Sequence, residues 1–185
     1  MKIFIVGCAK SGTWLLLRLF HAFDDLELIG DDTERPIKYL KSMVVSEGKF
    51  GVWKRTWNMA FSNHRDKIRP SLETQLALAR SHGIKLVYIR RERAGVLKSD
   101  NGWVAAARYD DCELQAEEFA DDLAYVVQFE RLLKEPNVVQ EELAEALGLT
   151  IVHPWSDYPD FVPDQAFAIH EGKENYSKRR IGAKY

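Results

Sequence analysis

Gly7-Cys8-Ala9-Lys10-Ser11-Gly12-Thr13 is the stretch of this chain best equipped for chemistry. An apolar run, Ile3 to Val6, precedes it and reads as a buried strand, and Trp14 to Phe20 follows with enough apolar length for a helix. Strand, glycine loop and helix together present backbone N–H groups to an anion, phosphate above all. Gly7 and Gly12 have the spacing of a Walker A loop, but Thr13 and Trp14 stand where Lys-Ser/Thr should follow the second glycine. The loop's only lysine is Lys10, two residues before Gly12. A lysine so displaced argues against an ATP or GTP hydrolase and for a different anion-transfer chemistry.

The run Ala9-Lys10-Ser11-Gly12-Thr13-Trp14-Leu15 resembles the phosphosulfate loop of sulfotransferases that use 3′-phosphoadenosine 5′-phosphosulfate (PAPS). That family's pattern is Pro-Lys/Arg-Ser-Gly-Thr-Thr/Ser followed by an apolar residue. Ala9 replaces the proline, and Trp14 replaces the second hydroxyl residue, although the Trp14 N–H still donates. The resemblance implies that Lys10, Ser11, Gly12, Thr13 and Trp14 hold the 5′ end of the cofactor.

Three further segments resemble the same family. After the strand-like Lys85–Arg90, Arg91 and Ser99 have the eight-residue spacing of the family's Arg and Ser, which bind the 3′-phosphate. Arg supplies a forked, permanently charged donor and Ser a hydroxyl from the following helix. Glu92-Arg93 departs from the usual Asn/Asp-Pro, and Arg90 competes for the arginine role. The stretch Val126–Leu132, then Glu135-Pro136 and Leu147-Gly148-Leu149, resembles the family's Tyr-Glu-Asp-Leu strand, Asp-Pro step and Phe-Leu-Gly helix end, which are structural. Lys178-Arg179-Arg180-Ile181-Gly182 resembles the loop that closes over the 3′-phosphate, implying roles for Arg179, Arg180 and Gly182.

The general base is harder to place. Soluble family members carry Lys-Thr-His on the strand before the 3′-phosphate element; here that strand reads Val52-Trp53-Lys54-Arg55-Thr56, keeping Lys54 but putting Thr56 at the histidine position. The Golgi branch uses a carboxylate shortly after the loop helix, within Gly-Glu-Glu-Thr-Arg in its tyrosyl-protein members. Gly30-Asp31-Asp32-Thr33-Glu34-Arg35 lies at nearly the same distance here. Asp32 is then the expected base, with Asp31 and His64 as alternatives, and turn or capping duty as the plain reading of the two aspartates. Lys10 and Lys54 are the expected catalytic cations.

Composition frames these motifs. The chain has 185 residues, 46% hydrophobic and 29% charged, with a net charge of −2, as expected of one globular domain spanning 1–185 with room for a core. That charge excludes a generally basic nucleic-acid binder while allowing local basic pockets. No apolar run reaches membrane-spanning length. Cys8 and Cys112 lack metal-ligand surroundings, and Cys8 reads as a small buried residue beside the loop. A cytoplasmic protein is expected.

Strand-like runs alternate with helical ones. Strands are predicted at Lys2–Val6, Leu26–Ile29, Phe50–Arg55, Lys85–Arg90 and Ala124–Phe129. Helices are predicted at about Gly12–Phe23, Glu34–Val45, Arg65–His82 (at the least from Ser71), from about Ala94 to or beyond Ser99, Gln115–Asp122 and Asn137–Leu147. The polar Gly30–Thr33 reads as a turn. This is an α/β pattern: a mainly parallel sheet flanked by helices, of P-loop nucleotide-binding type. The resemblance implies sulfuryl transfer from PAPS, without a metal, to a hydroxyl or amine of a small molecule, carbohydrate or peptide. A PAP-binding protein without turnover and an ATP-using P-loop phosphotransferase are the alternatives.

Overall fold

The computed structural model of the protein describes residues 1–31, 44–57, 72–99 and 106–163. Five strands form one sheet: β1 (Lys2–Cys8), β2 (Leu26–Asp31), β3 (Phe50–Trp57), β4 (Ile84–Arg90) and β5 (Tyr125–Gln128). Their order is β2-β3-β1-β4-β5, and every neighbouring pair is parallel. The helices among the described residues are α1 (Thr13–Leu19), α2 (Leu72–His82), α3 (Arg93–Ser99), α4 (Ala106–Glu118), α5 (Phe129–Lys134) and α6 (Pro136–Leu147).

Burial on both faces explains the near-continuous apolar character of the central strands. Ile3 and Ile5 of β1 pack with Leu16, Leu19 and Phe20 of the α1 segment and with Val139 and Leu143 of α6. Phe4, Val6 and Cys8 point the other way, toward Leu76 and Ala79 of α2, Val96 of α3 and Cys112 of α4. Alternate residues of one strand thus serve two separate cores. Cys8 and Cys112 are both buried free thiols, as the sequence led one to expect of Cys8.

Two groups of hydrogen bonds hold the later chain in this frame. Trp155 is fully buried; its indole N–H donates to the Leu19 carbonyl at 2.9 Å. Its backbone N–H donates to Gln140 Oε1 at 2.8 Å, and Gln140 Nε2 donates to the His153 carbonyl, also at 2.8 Å. The Gln140 amide is thereby satisfied in the interior, as a buried polar group must be. On the sheet's β5 edge, Arg131 forms a fork on Glu142 at 2.7 and 2.6 Å, and the Tyr125 hydroxyl donates to the same carboxylate at 2.5 Å.

Several element boundaries differ from the sequence expectation. Gly30 and Asp31 belong to β2 rather than to a turn, because β3 offers them partners: Gly30 pairs with Trp53 and Asp31 with Lys54. The predicted Glu34–Val45 helix lies outside the described residues except for Val44 and Val45, which are not helical. α4 begins at Ala106 and ends at Glu118, well before Asp122, which sits in a short 3₁₀ turn. Phe129 opens α5 instead of closing β5. Gly83 (φ 61°) and Gly148 (φ 69°) end α2 and α6 in the left-handed conformation.

Candidate functional site

The loop leaves the carboxyl end of β1, the central strand, where open parallel sheets bind ligands. Its shape is held by close packing at two glycines. A Cβ at Gly7 would lie 2.6 Å from Ser11 Oγ and 2.7 Å from the Ile89 carbonyl oxygen. Gly12 has φ +100°, and a Cβ there would lie 2.5 Å from Cδ2 of Phe129. Only glycine fits either place. Between them Lys10 adopts φ 68°, a left-handed conformation costly for a lysine. The Ser11 N–H closes the turn on the Cys8 carbonyl at 3.1 Å.

The polar groups of the loop differ in exposure. The Lys10 side chain is exposed. Ser11 is 1% exposed, yet its hydroxyl has no hydrogen-bond partner among the described residues. An orphaned buried hydroxyl is unusual and fits a loop that receives a polar ligand. Thr13 is buried at the start of α1, whose first N–H groups have no partner within the helix.

Arg91 reaches the loop from the end of β4. Its Nη1 donates to the Lys10 carbonyl at 2.8 Å and lies 3.4 Å from Ser99 Oγ. The guanidinium stacks 4.5 Å from the Phe129 ring centre, and its Nε is buried with no partner among the described residues. Burial lowers the Arg91 pKa, with Glu130 opposing the shift, but a guanidinium starts so high that it stays charged at neutral pH. Arg90, its rival in sequence, turns away to pair with Glu113 at 2.5 Å. The geometry thus groups Lys10, Ser11, Arg91 and Ser99 at the loop, while Arg90, held by Glu113, lines the cleft beside Arg91.

α4 fixes the turn that carries Arg91. The Tyr109 hydroxyl donates to the Arg91 carbonyl at 2.6 Å, and Arg93 pairs with Asp110 at 2.8 Å. Burial pushes the Tyr109 phenol up to about 12, so it remains a donor at neutral pH. Glu113 also accepts from the buried Tyr88 hydroxyl at 2.9 Å. Beside this turn, at the ends of β4 and β5, opens a cleft of about 590 Å³ whose walls include Arg91, Tyr109, Gln128, Glu130 and Lys134. That volume lies in the range of small-ligand sites.

On the opposite side of the loop, Lys54 projects from β3 and is 2% exposed. Its ammonium lies 4.0 Å from the centre of the Trp14 ring. Register sets Lys54 beside Ile5 of β1 and Asp31 of β2. Thr56, at the position of the absent histidine, pairs in register with Gly7 at the mouth of the loop. The sequence reading missed the roles of Phe129 and of the Trp14 ring. Phe129 carried no signal beyond its place at a strand end, whereas Trp14 was conspicuous as an aromatic inside a polar motif. Asp32, His64, Arg179, Arg180 and Gly182 lie outside the described residues.

No protein-family profile and no curated protein sequence matches this chain. Among solved structures, the mouse sulfotransferase SULT7A1 complexed with PAP is similar, with a TM-score of 0.54 and 17% identity over 81% of this chain and 60% of that one. This chain therefore spans about three-fifths of the mouse enzyme's length. Thymidylate kinase from Candida albicans has a TM-score of 0.44 and 13% identity, over 82% of this chain and 97% of that one. The likeness to the mouse protein concerns the fold alone: a parallel five-stranded sheet flanked by helices. Among the described residues, no helix is long and apolar enough to cross a membrane.

Proposed function

We propose that this protein is a sulfotransferase that moves a sulfuryl group from PAPS to a hydroxyl or amine acceptor. The observation that carries the reading is the hydrogen bond from Arg91 to the Lys10 carbonyl. It joins the two segments that resemble the 5′ and 3′ binding elements of that family, and it does so beside a buried serine hydroxyl with no partner among the described residues. The residues present fit a nucleotide with two anionic ends, and the cleft next to Arg91 offers room for its nucleoside.

PAPS would supply an activated sulfuryl group and a phosphate leaving group. Lys10 and the loop N–H groups would hold the 5′-phosphate and take up the charge that grows on its oxygen as the S–O bond breaks. Arg91 and Ser99 would hold the 3′-phosphate, with Arg179, Arg180 and Gly182 closing over it. Lys54 would steady the transferred group from the β3 side. Asp32 would accept the acceptor's proton, Asp31 and His64 being the alternatives. The acceptor would be a small molecule, carbohydrate or peptide.

A second reading, a PAP-binding protein without turnover, draws on Thr56, which occupies the histidine position at the end of β3. One experiment separates the readings. PAP should raise the melting temperature more than AMP, ATP or GTP, since a ligand selective for the native state stabilises it. Transfer from PAPS to a broad acceptor panel should then proceed without magnesium. PAP stabilisation with no transfer would favour the second reading. Magnesium-dependent stabilisation by ATP alone would replace both with a phosphotransferase.

A further inference from the structure

Trp14 stands where the resembling pattern has a hydroxyl residue, and its side chain has a specific occupation. The Lys54 ammonium sits 4.0 Å from the centre of its ring, and the Arg18 guanidinium, one helical turn on, comes within 5.6 Å. Lys54 and Arg18 are 2% and 4% exposed. Long cationic side chains ordinarily carry their charge out to water, and a charge withdrawn from water is costly unless a suitable partner faces it. An indole face is such a partner, better than phenol or phenyl and most effective where water is excluded. Threonine or serine has no such face.

The two residues come from different elements at one end of the sheet. β3 sets Lys54 in register with Ile5, on the face that α1 covers. α1 sets Trp14 one residue after the buried Thr13. A lysine stem has four rotatable bonds, so its ammonium samples many positions unless something fixes it.

We propose that Trp14 is a positioning residue for Lys54: its ring fixes the ammonium beside the anion loop, so that Lys54 meets the transferred group in one set orientation. The destination of the ammonium rests on the sulfuryl-transfer reading; its seat on the ring does not. The tryptophan is then a substitution with a gain, exchanging a hydroxyl contact to phosphate for control of a buried cation.

The test compares wild type with Trp14→Phe and Trp14→Leu. An indole 4.0 Å away should move the Lys54 side-chain proton resonances upfield by its ring current, less so in Trp14→Phe and not at all in Trp14→Leu. Acylation of the Lys54 amine by acetic anhydride, read by peptide mass, should be roughly 3- to 30-fold faster in Trp14→Leu than in wild type, the factor that a partly to fully desolvated cation–π contact commands. With PAPS and an accepted acceptor, kcat should fall by the same factor in Trp14→Leu, with KM for PAPS unchanged, and Trp14→Phe should recover most of it. Unshifted Lys54 resonances in wild type overturn the proposal. So do equal acylation rates in wild type and folded Trp14→Leu, or equal kcat losses in Trp14→Phe and Trp14→Leu. If Trp14→Leu does not fold, the wild-type resonances and Trp14→Phe decide. Shifted resonances in a protein that transfers nothing from PAPS sink the transfer reading and still support the seat of Lys54 on the ring.

Discussion

Arg91 donates a 2.8 Å hydrogen bond to the main-chain carbonyl of Lys10, a residue 81 positions earlier. The bond falls on the residue whose backbone is left-handed, φ 68°, so the arginine braces the loop where its conformation is least favourable. One guanidinium therefore shapes the Gly7–Thr13 loop and faces the neighbouring cleft.

Arg91→Ala should weaken PAP binding about 10- to 100-fold, because hydrogen bonds to charged groups are worth about 1.5–3 kcal/mol. AMP, lacking the 3′-phosphate, should lose less. Titration calorimetry with both nucleotides checks this. Equal losses would confine Arg91 to bracing the loop.

Lys10→Ala should lower kcat by about 10²–10³-fold, the usual cost of removing one donor from developing charge. PAP affinity should change less than turnover. Steady-state rates beside a PAP titration give the comparison; unchanged turnover would remove Lys10 from the chemistry.

Asp32→Asn should slow transfer by about 10²–10⁴-fold if that carboxylate is the general base, with PAP affinity preserved. Asp31→Asn is the companion variant, because Asp31 closes β2 in register with Lys54. Loss of activity in Asp31→Asn alone would move the base by one residue. Loss in His64→Ala with both aspartates dispensable would end the carboxylate hypothesis.

Gly12→Ala should destabilise the fold through two separable effects. The left-handed backbone costs an L-residue roughly 1–2 kcal/mol, and the new Cβ meets the Phe129 ring at 2.5 Å. Adding Phe129→Ala should relieve the collision but not the backbone cost. Denaturant melts of the single and double variants measure each part; if Gly12→Ala costs the same with and without Phe129, the ring is not what excludes the methyl.

Glu142 predicts an acid-sensitive stability. Hydrogen bonds from Arg131 and then Tyr125 depress its carboxyl to about 2 in the folded protein. A depressed folded pKa means that the unfolded chain takes up the proton first. The stabilisation is therefore full above the ordinary carboxylate pKa and drains away as pH falls toward 2. Glu142→Gln should flatten the stability profile in that window. Melting curves from pH 5 down to about 2 test it; parallel wild-type and variant profiles would refute it.

The sheet was legible in the sequence because strands buried on both faces, such as Ile3–Val6 and Lys85–Arg90, read as apolar runs whatever they pack against. The Arg91–Ser99 spacing likewise picked out two side chains that lie 3.4 Å apart, Arg91 also reaching the Lys10 carbonyl. What was hidden depended on partners distant in the chain. Gly30 and Asp31 read as a turn because nothing local reveals that β3 will supply them with hydrogen bonds. The early start of α4 was hidden for a similar reason. Its charged Asp110, Asp111 and Glu113 resemble a solvated segment until Arg93 and Arg90 come to meet two of them. Trp14 was read for its backbone N–H, since only the fold shows that Lys54 arrives beneath its ring.

Trp155 reaches back 136 residues to the last carbonyl of the helix that carries the anion loop. A chain made from its N-terminus releases that helix 136 residues before its indole cap. At about 5–20 residues per second the interval is roughly 7 to 27 s. Throughout it the apolar flank of Leu16, Leu19 and Phe20 lacks its final cover. The helix behind the Lys10 loop is thus finished only once Trp155 has emerged, and until then its exposure to chaperones and proteases is set by the speed of the ribosome.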